Sequence, residues 1–133
     1  MSRSERKPCK DCGSTTRSLG HPGPRCSTCW RVVQKHRKEQ AHDRHIQATY
    51  GIDALIYGML LEAQGGKCAI CLKATGAHKK LAVDHDHDTG EIRGLLCVLC
   101  NRYLLGYAGE MTLRRALHYL QEPPARKVLA KES

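Results

Sequence analysis

The sequence predicts a small α+β protein stabilised by zinc. Three features point there: four Cys-x-x-Cys pairs, two short strand-like runs either side of a turn, and helical runs on both flanks. The pairs are Cys9/Cys12, Cys26/Cys29, Cys68/Cys71 and Cys97/Cys100. A two-residue spacer lets both thiolates of a pair share one tetrahedral zinc, so four pairs read as two four-cysteine sites. The rest of the composition offers little else to fold around. The 133 residues include no Phe and one Trp, and 26% of them are charged, so a scaffold of this size needs staples.

Residues 1–30 read as a zinc ribbon. Its knuckles, Cys9/Cys12 and Cys26/Cys29, are joined by a stretch rich in Gly, Pro, Ser and Thr, and Gly13 lets the backbone turn back toward the metal. From Trp30 to about Ala48 no turn residue intervenes, which predicts a basic linker helix over 31–49. Arg31, Lys35 and Lys38 fall three or four apart and form one basic stripe. The stripe reads either as the wet face of a linker or as a surface lying along a DNA backbone.

The next domain is predicted over 50–125. Tyr50-Gly51 breaks the helix, and Asp53 is a suitable N-cap for a second one. Leu55, Ile56, Met59, Leu60 and Ala63 repeat at helical spacing up to Gly65-Gly66, which predicts a core helix packed on the Cys68/Cys71 knuckle. Leu81-Ala82-Val83 and Ile92–Leu96 read as strands around the turn Asp88-Thr89-Gly90-Glu91. Cys97–Asn101 leads into a helix to about Tyr107. Thr112 is the expected cap of a last helix, ended by Pro123-Pro124 and followed by a flexible basic tail over 126–133.

Charge and leader composition narrow the class. The formal charge is +9, and about +5 once eight thiolates hold two Zn²⁺. Residues 1–48 carry 11 Lys/Arg against 4 Asp/Glu, so the excess is concentrated at the front, which suits phosphate binding. The start Met-Ser-Arg-Ser-Glu-Arg-Lys has no apolar run for export, and no segment suits a membrane span. A cytoplasmic setting is expected, where cysteines stay reduced and metal is favoured over disulfides.

Between the third and fourth pairs lies Asp84-His85-Asp86-His87, and Asn101 follows Cys100. Hydrolysis of a phosphodiester needs an activated water, charge neutralisation at the phosphoryl oxygens and help for the departing 3′ oxygen. An imidazole suits the first task. A divalent cation on hard oxygen ligands suits the others, and Asp84 and Asn101 offer such oxygens to Mg²⁺ or Mn²⁺. On a regular strand Asp84 and His85 face opposite ways, so the strand must end or bulge at about Val83-Asp84. Arg93 reads either as a phosphate ligand or as an ion-pair partner of Asp86 or Asp88. His21, His36, His42, His45, His78 and His118 read as surface residues. A third zinc site, or a turn-capping acidic run, is the plainer alternative for Asp84–His87.

The stretches Gly66–Cys71, Val83-Asp84-His85-Asp86-His87-Asp88-Thr89-Gly90 and Arg93-Gly94-Leu95-Leu96-Cys97-Val98-Leu99-Cys100-Asn101 resemble the recombination endonuclease VII family, phage nucleases of the His-Me finger (HNH) type. The resemblance covers roughly 50–125. It implies a ββα-metal core, a structural zinc on Cys68, Cys71, Cys97 and Cys100, His85 as general base, and Asp84 with Asn101 on the catalytic cation. His87 takes the family's second histidine position, in contact with phosphate or the leaving group. Leu104 stands where the best-known member has a glutamate, so water would replace that ligand. The ribbon lies outside the matched pattern.

Two functions are weighed on these residues. One is a metal-dependent DNA endonuclease resolving Holliday junctions and other branched DNA, acting as a homodimer because two symmetric nicks need two sites. The branch preference comes from the resemblance alone, and duplex nicking is its variant. The other is a non-catalytic zinc-ribbon module binding nucleic acid or protein.

Overall fold

A computed structural model describes residues 7–15 and 23–130. Residues 1–6 and 16–22 of the expected ribbon, with His21, and 131–133 of the expected tail lie outside the described residues. The chain divides into two compact units between Ala54 and Leu55.

In the first unit, the Cys9 knuckle turns back on itself. Gly13, at φ 71°, donates its N–H to the Cys9 carbonyl at 2.8 Å, and Cys9 donates to Ser14 at 2.9 Å. The second knuckle is built into α1, which runs Ser27–Tyr50 rather than starting at Trp30. Cys26 is its N-cap, with its sulfur accepting from the Cys29 N–H. A thiolate here does what a Ser or Asp oxygen usually does, satisfying an orphan N–H at the positive end of the helix. Gly51 closes α1 in the left-handed conformation. Ile46 is buried, while Arg31, Lys35 and Lys38 are exposed.

The second unit is organised on a hairpin. α2 (Ala54–Ala63) begins directly after Asp53. β1 (Ala82–His85) pairs antiparallel with β2 (Ile92–Leu96). Tyr57 on α2 donates its hydroxyl to the Leu81 carbonyl at 2.8 Å, tying the helix to the start of β1. Leu81, Val83, Leu95, Leu96 and Cys68 are buried around it. The expectation that α2 is a core helix is only partly met. Tyr57 is buried, but Leu55, Ile56 and Met59 are exposed, because a two-stranded sheet can cover only one narrow stripe of a helix.

Three further elements differ from expectation. The run after Cys97 winds as a π-helix (Leu99–Leu105) instead of an α-helix to Tyr107, and the Gly106 N–H reaches back five residues to the Asn101 carbonyl. Apolar spacing over so short a run does not distinguish the two windings. α3 (Glu110–Gln121) is capped at Gly109, so Thr112 sits inside it. Pro124 starts a short helix, α4 (Pro124–Leu129), and residues 126–129 of the expected tail belong to it. Proline at the first helical position loses no hydrogen bond, which is why the same residue can end one helix and open another.

Candidate functional site

Both sets of cysteines come together. Within each of Cys9/Cys12/Cys26/Cys29 and Cys68/Cys71/Cys97/Cys100 the sulfurs lie within 4.8 Å of one another, and all eight cysteines are free. A tetrahedron of sulfurs about 2.3 Å from zinc has edges of about 3.8 Å. Cys12–Cys26 is 3.8 Å and Cys71–Cys97 is 3.9 Å, so both clusters fit zinc. Their electrostatics agree. Backbone N–H groups of Cys12, Cys26 and Asp11 lower the Cys9 thiol to about 6. Burial pushes Cys68 up, but the N–H groups of Cys97, Cys71 and Ile70 outweigh it and leave that thiol at about 6. Burial and neighbouring sulfurs push Cys100 up to about 12. Four adjacent thiolates repel, and a divalent cation removes the conflict.

The hairpin end carries Asp84 and His85. The register skips from Asp84↔Gly94 to His85↔Ile92, leaving Arg93 as the extra residue of a bulge. The irregularity is therefore in β2, opposite Asp84-His85, one step beyond the Val83-Asp84 position where a break in β1 was expected. Its effect is specific. Arg93 turns back, and its Nε and Nη2 donate to the two carboxylate oxygens of Asp84 at 2.8 and 3.1 Å. Nη2 also donates to the His85 carbonyl at 3.1 Å, and Nη1 lies 3.6 Å from Asp86. Arg93 is ion-paired here, with Asp84 as main partner and Asp86 as second, where the sequence offered Asp86 or Asp88. Asp84 is the one buried charged residue among the described residues, and Arg93, by bonding to it, has its own pKa raised.

The other members of the run separate by role. Asp86 accepts the N–H groups of Asp88 and Thr89, both at 2.9 Å, which lowers its pKa and shapes the turn. The plain reading of an acidic turn-cap is correct for that residue. The His85 and His87 rings lie 4.7 Å apart between centroids. Asn101, half-buried, is on the first turn of the π-helix, directly after the zinc-cluster sulfur of Cys100. Asp84 and Arg93 line a depression of about 500 Å³ that extends to Leu105 and Leu113; His85, His87 and Asn101 are not among its lining residues. Leu104 is exposed.

Sequence reasoning missed Gln64. Its Oε1 accepts the Leu95 N–H at 2.8 Å, and its Nε2 donates to the Leu95 and Lys67 carbonyls at 2.8 and 2.9 Å. One side-chain amide thus pairs with the outer edge of β2 as a third strand would. The signal available was Gly94: glycine inside a strand marks a bulge or a close approach. Here φ is 154°, and a Cβ would sit 3.0 Å from Gln64 Oε1.

Residues 43–122 match the family described as recombination endonuclease VII. The chain belongs to that family. The matched segment contains the hairpin, the second cysteine cluster, Asp84, His85, His87, Arg93 and Asn101, and it begins within α1, after the first cluster. Two curated relatives are similar over 131 residues: the Gene 59 protein of Mycobacterium phage D29, 48% identical over 94% of this chain and 79% of its own length, and the Gene 59 protein of Mycobacterium phage L5, 47% identical over 94% and 80%. The likeness to these phage proteins therefore reaches into the ribbon unit. No solved structure matches. Membership of the endonuclease VII family implies a DNA endonuclease. No helix among the described residues is long and apolar enough to cross a membrane.

Proposed function

We propose that this endonuclease VII family member hydrolyses phosphodiester bonds in Holliday junctions and other branched DNA, using a His-Me finger core formed by β1, β2 and the π-helix. The observation that carries the reading is the family match over a hairpin whose end holds a buried carboxylate, Asp84, next to His85. His85 takes a proton from water at a ring nitrogen. The water oxygen bonds to phosphorus, and the P–O3′ electron pair leaves with the 3′ oxygen. His87 contacts the phosphate or the leaving group beside it.

Asp84 and Asn101 would hold the cation through a carboxylate and an amide oxygen, a donor set that suits Mg²⁺ or Mn²⁺, with water completing the shell because Leu104 offers no ligand. When bound, the cation supplies charge neutralisation at the phosphoryl and departing oxygens. Arg93 acts through Asp84 as a positioning residue, since its guanidinium is engaged there and at the His85 carbonyl. Zinc in both cysteine clusters holds each unit together. Arg31, Lys35 and Lys38 on α1 grip the DNA backbone. Exposed Leu55, Ile56, Met59, Leu117 and Leu120 supply apolar surface for a homodimer. The phage relatives support a phage protein, and we place its action in the cytoplasm of a bacterial host.

The test uses zinc-loaded protein on a labelled four-way junction and a matched linear duplex, with Mg²⁺ and with EDTA. Nicks in the junction that need Mg²⁺ and vanish in His85→Ala, with zinc content and junction binding retained, are expected. Equal cutting of both substrates leaves a nuclease without branch preference. No cutting with any divalent cation leaves a binding module.

A further inference from the structure

The longest acid-free stretch of the second unit runs between Glu62 and Asp84. It holds Lys67, Lys73, Lys79 and Lys80, with His78, and no Asp or Glu. Its segment 72–80 joins the third knuckle to β1, and it is a built loop. Cys68 donates its N–H to the Ala74 carbonyl at 2.8 Å, and Ala77 donates to Thr75 Oγ1 at 3.4 Å. Gly76, at φ 74°, lies so close to Leu81 that a Cβ would be 3.3 Å from the Leu81 nitrogen. Leu81 itself is buried and fixed by the Tyr57 hydroxyl. Lys80 sits 5.8 Å from the centre of the Tyr57 ring, which holds that lysine against the fold.

This loop walls a depression of about 460 Å³ lined by Lys73, His78, Lys79 and Lys80 together with Val98 and Leu99. Lys73, His78 and Lys79 are exposed, and among the described residues no ion pair involves Lys73 or Lys79. Leu99 opens the π-helix, two residues before Asn101. The depression thus shares Leu99 with the π-helix that carries Asn101.

We infer that the 72–80 loop is a second DNA-backbone site, in which Lys73 and Lys79, supported by Lys80, hold phosphates of the DNA. The inference rests on the nuclease reading for its substrate, and it is separate from the α1 stripe. Lysine is a hydrated point charge on a long stem, which suits sequence-independent phosphate contact. Fixing the loop at Ala74, Gly76 and Leu81 lowers the entropy lost when it engages.

The experiment is equilibrium binding of the zinc-loaded full chain to a fluorescent four-way junction across a salt series, without added divalent cation. Binding is read without turnover, so the result stands apart from whether nicks appear. The double variant Lys73→Gln/Lys79→Gln should bind about tenfold more weakly and lower the slope of log K against log salt by about 2. Lys73→Arg/Lys79→Arg should restore the slope, with zinc content and circular dichroism unchanged in both. An unchanged slope in the Gln variant, with zinc retained, overturns the inference. So does unchanged DNA binding alongside lost binding to polyglutamate, which would assign the surface to an acidic protein.

Discussion

Arg93 decides how the residues at the hairpin end act together. Its fork spans both oxygens of Asp84, the His85 carbonyl and the edge of Asp86, so a single guanidinium fixes a carboxylate and the backbone of the adjacent imidazole. A planar five-donor group can do this and an ammonium cannot. Arg93→Gln should therefore lower cleavage, or Mn²⁺ affinity measured calorimetrically, on the order of 10–100-fold, as loss of a ligand-orienting partner does. Arg93→Lys should recover little. Junction affinity and its salt slope should barely move. A drop in the slope by about 1 instead would return Arg93 to phosphate binding. Part of the hairpin end was legible beforehand: Asp84, His85 and His87 stand in plain order in the sequence, while Asn101 lies apart on the π-helix. The pairing of Arg93 was not, because it depends on which residue the bulge ejects. Had β2 stayed in regular register, alternation would have sent Arg93 and Gly94 to opposite faces at their ordinary positions.

At the scale of elements, the hairpin stays in place because α2 and the turn that follows it each reach it once. Tyr57 anchors the carbonyl of Leu81 just ahead of β1, and Gln64 closes the outer edge of β2 at Leu95. Leu95 is fully buried, so removing its N–H partner leaves a donor out of reach of water. Gln64→Ala should cost about 1–3 kcal/mol, read as a lower urea midpoint with an unchanged slope. Gln64→Glu keeps an acceptor for the N–H but sets oxygen against two carbonyls, and should not rescue. A midpoint within error of the parent protein in both variants would show the edge satisfied by other means. The limits of sequence reading are clear in the same helix. Leu55, Ile56 and Met59 have the spacing of a core face yet are exposed, since periodicity reports amphipathicity and not the area available to cover it. The π winding at Asn101 was similarly hidden, being a matter of one hydrogen bond reaching five residues back.

At the scale of the whole molecule, two four-cysteine clusters able to hold metal stand beside a thin apolar core. The largest fully buried side chains are Leu95 and Cys68, one of them a metal-cluster sulfur. Binding of a structural zinc is worth about 10–16 kcal/mol, against a net stability of about 5–15 kcal/mol for an ordinary domain. The protein should carry two zinc ions per chain. Cys97→Ser should reduce this to one and abolish the native circular dichroism of the hairpin unit; retention of a native spectrum and melt would remove zinc from its folding. Acid probes the same dependence. The Cys9 and Cys68 thiols titrate at about 6 in the fold, depressed from the free value of 9.0, so their thiolates are stabilising above the free value. In the metal-free fold that contribution shrinks as pH falls through the interval and is gone below about 6; bound zinc keeps the thiolates deprotonated to lower pH, and protons compete with it there. Zinc captured by a chromophoric chelator should therefore rise as pH drops below about 6, with loss of helical signal following zinc loss rather than preceding it. Unfolding that runs ahead of zinc release would mean the hairpin fails by another route, and the thiolate clusters would be passengers rather than the frame.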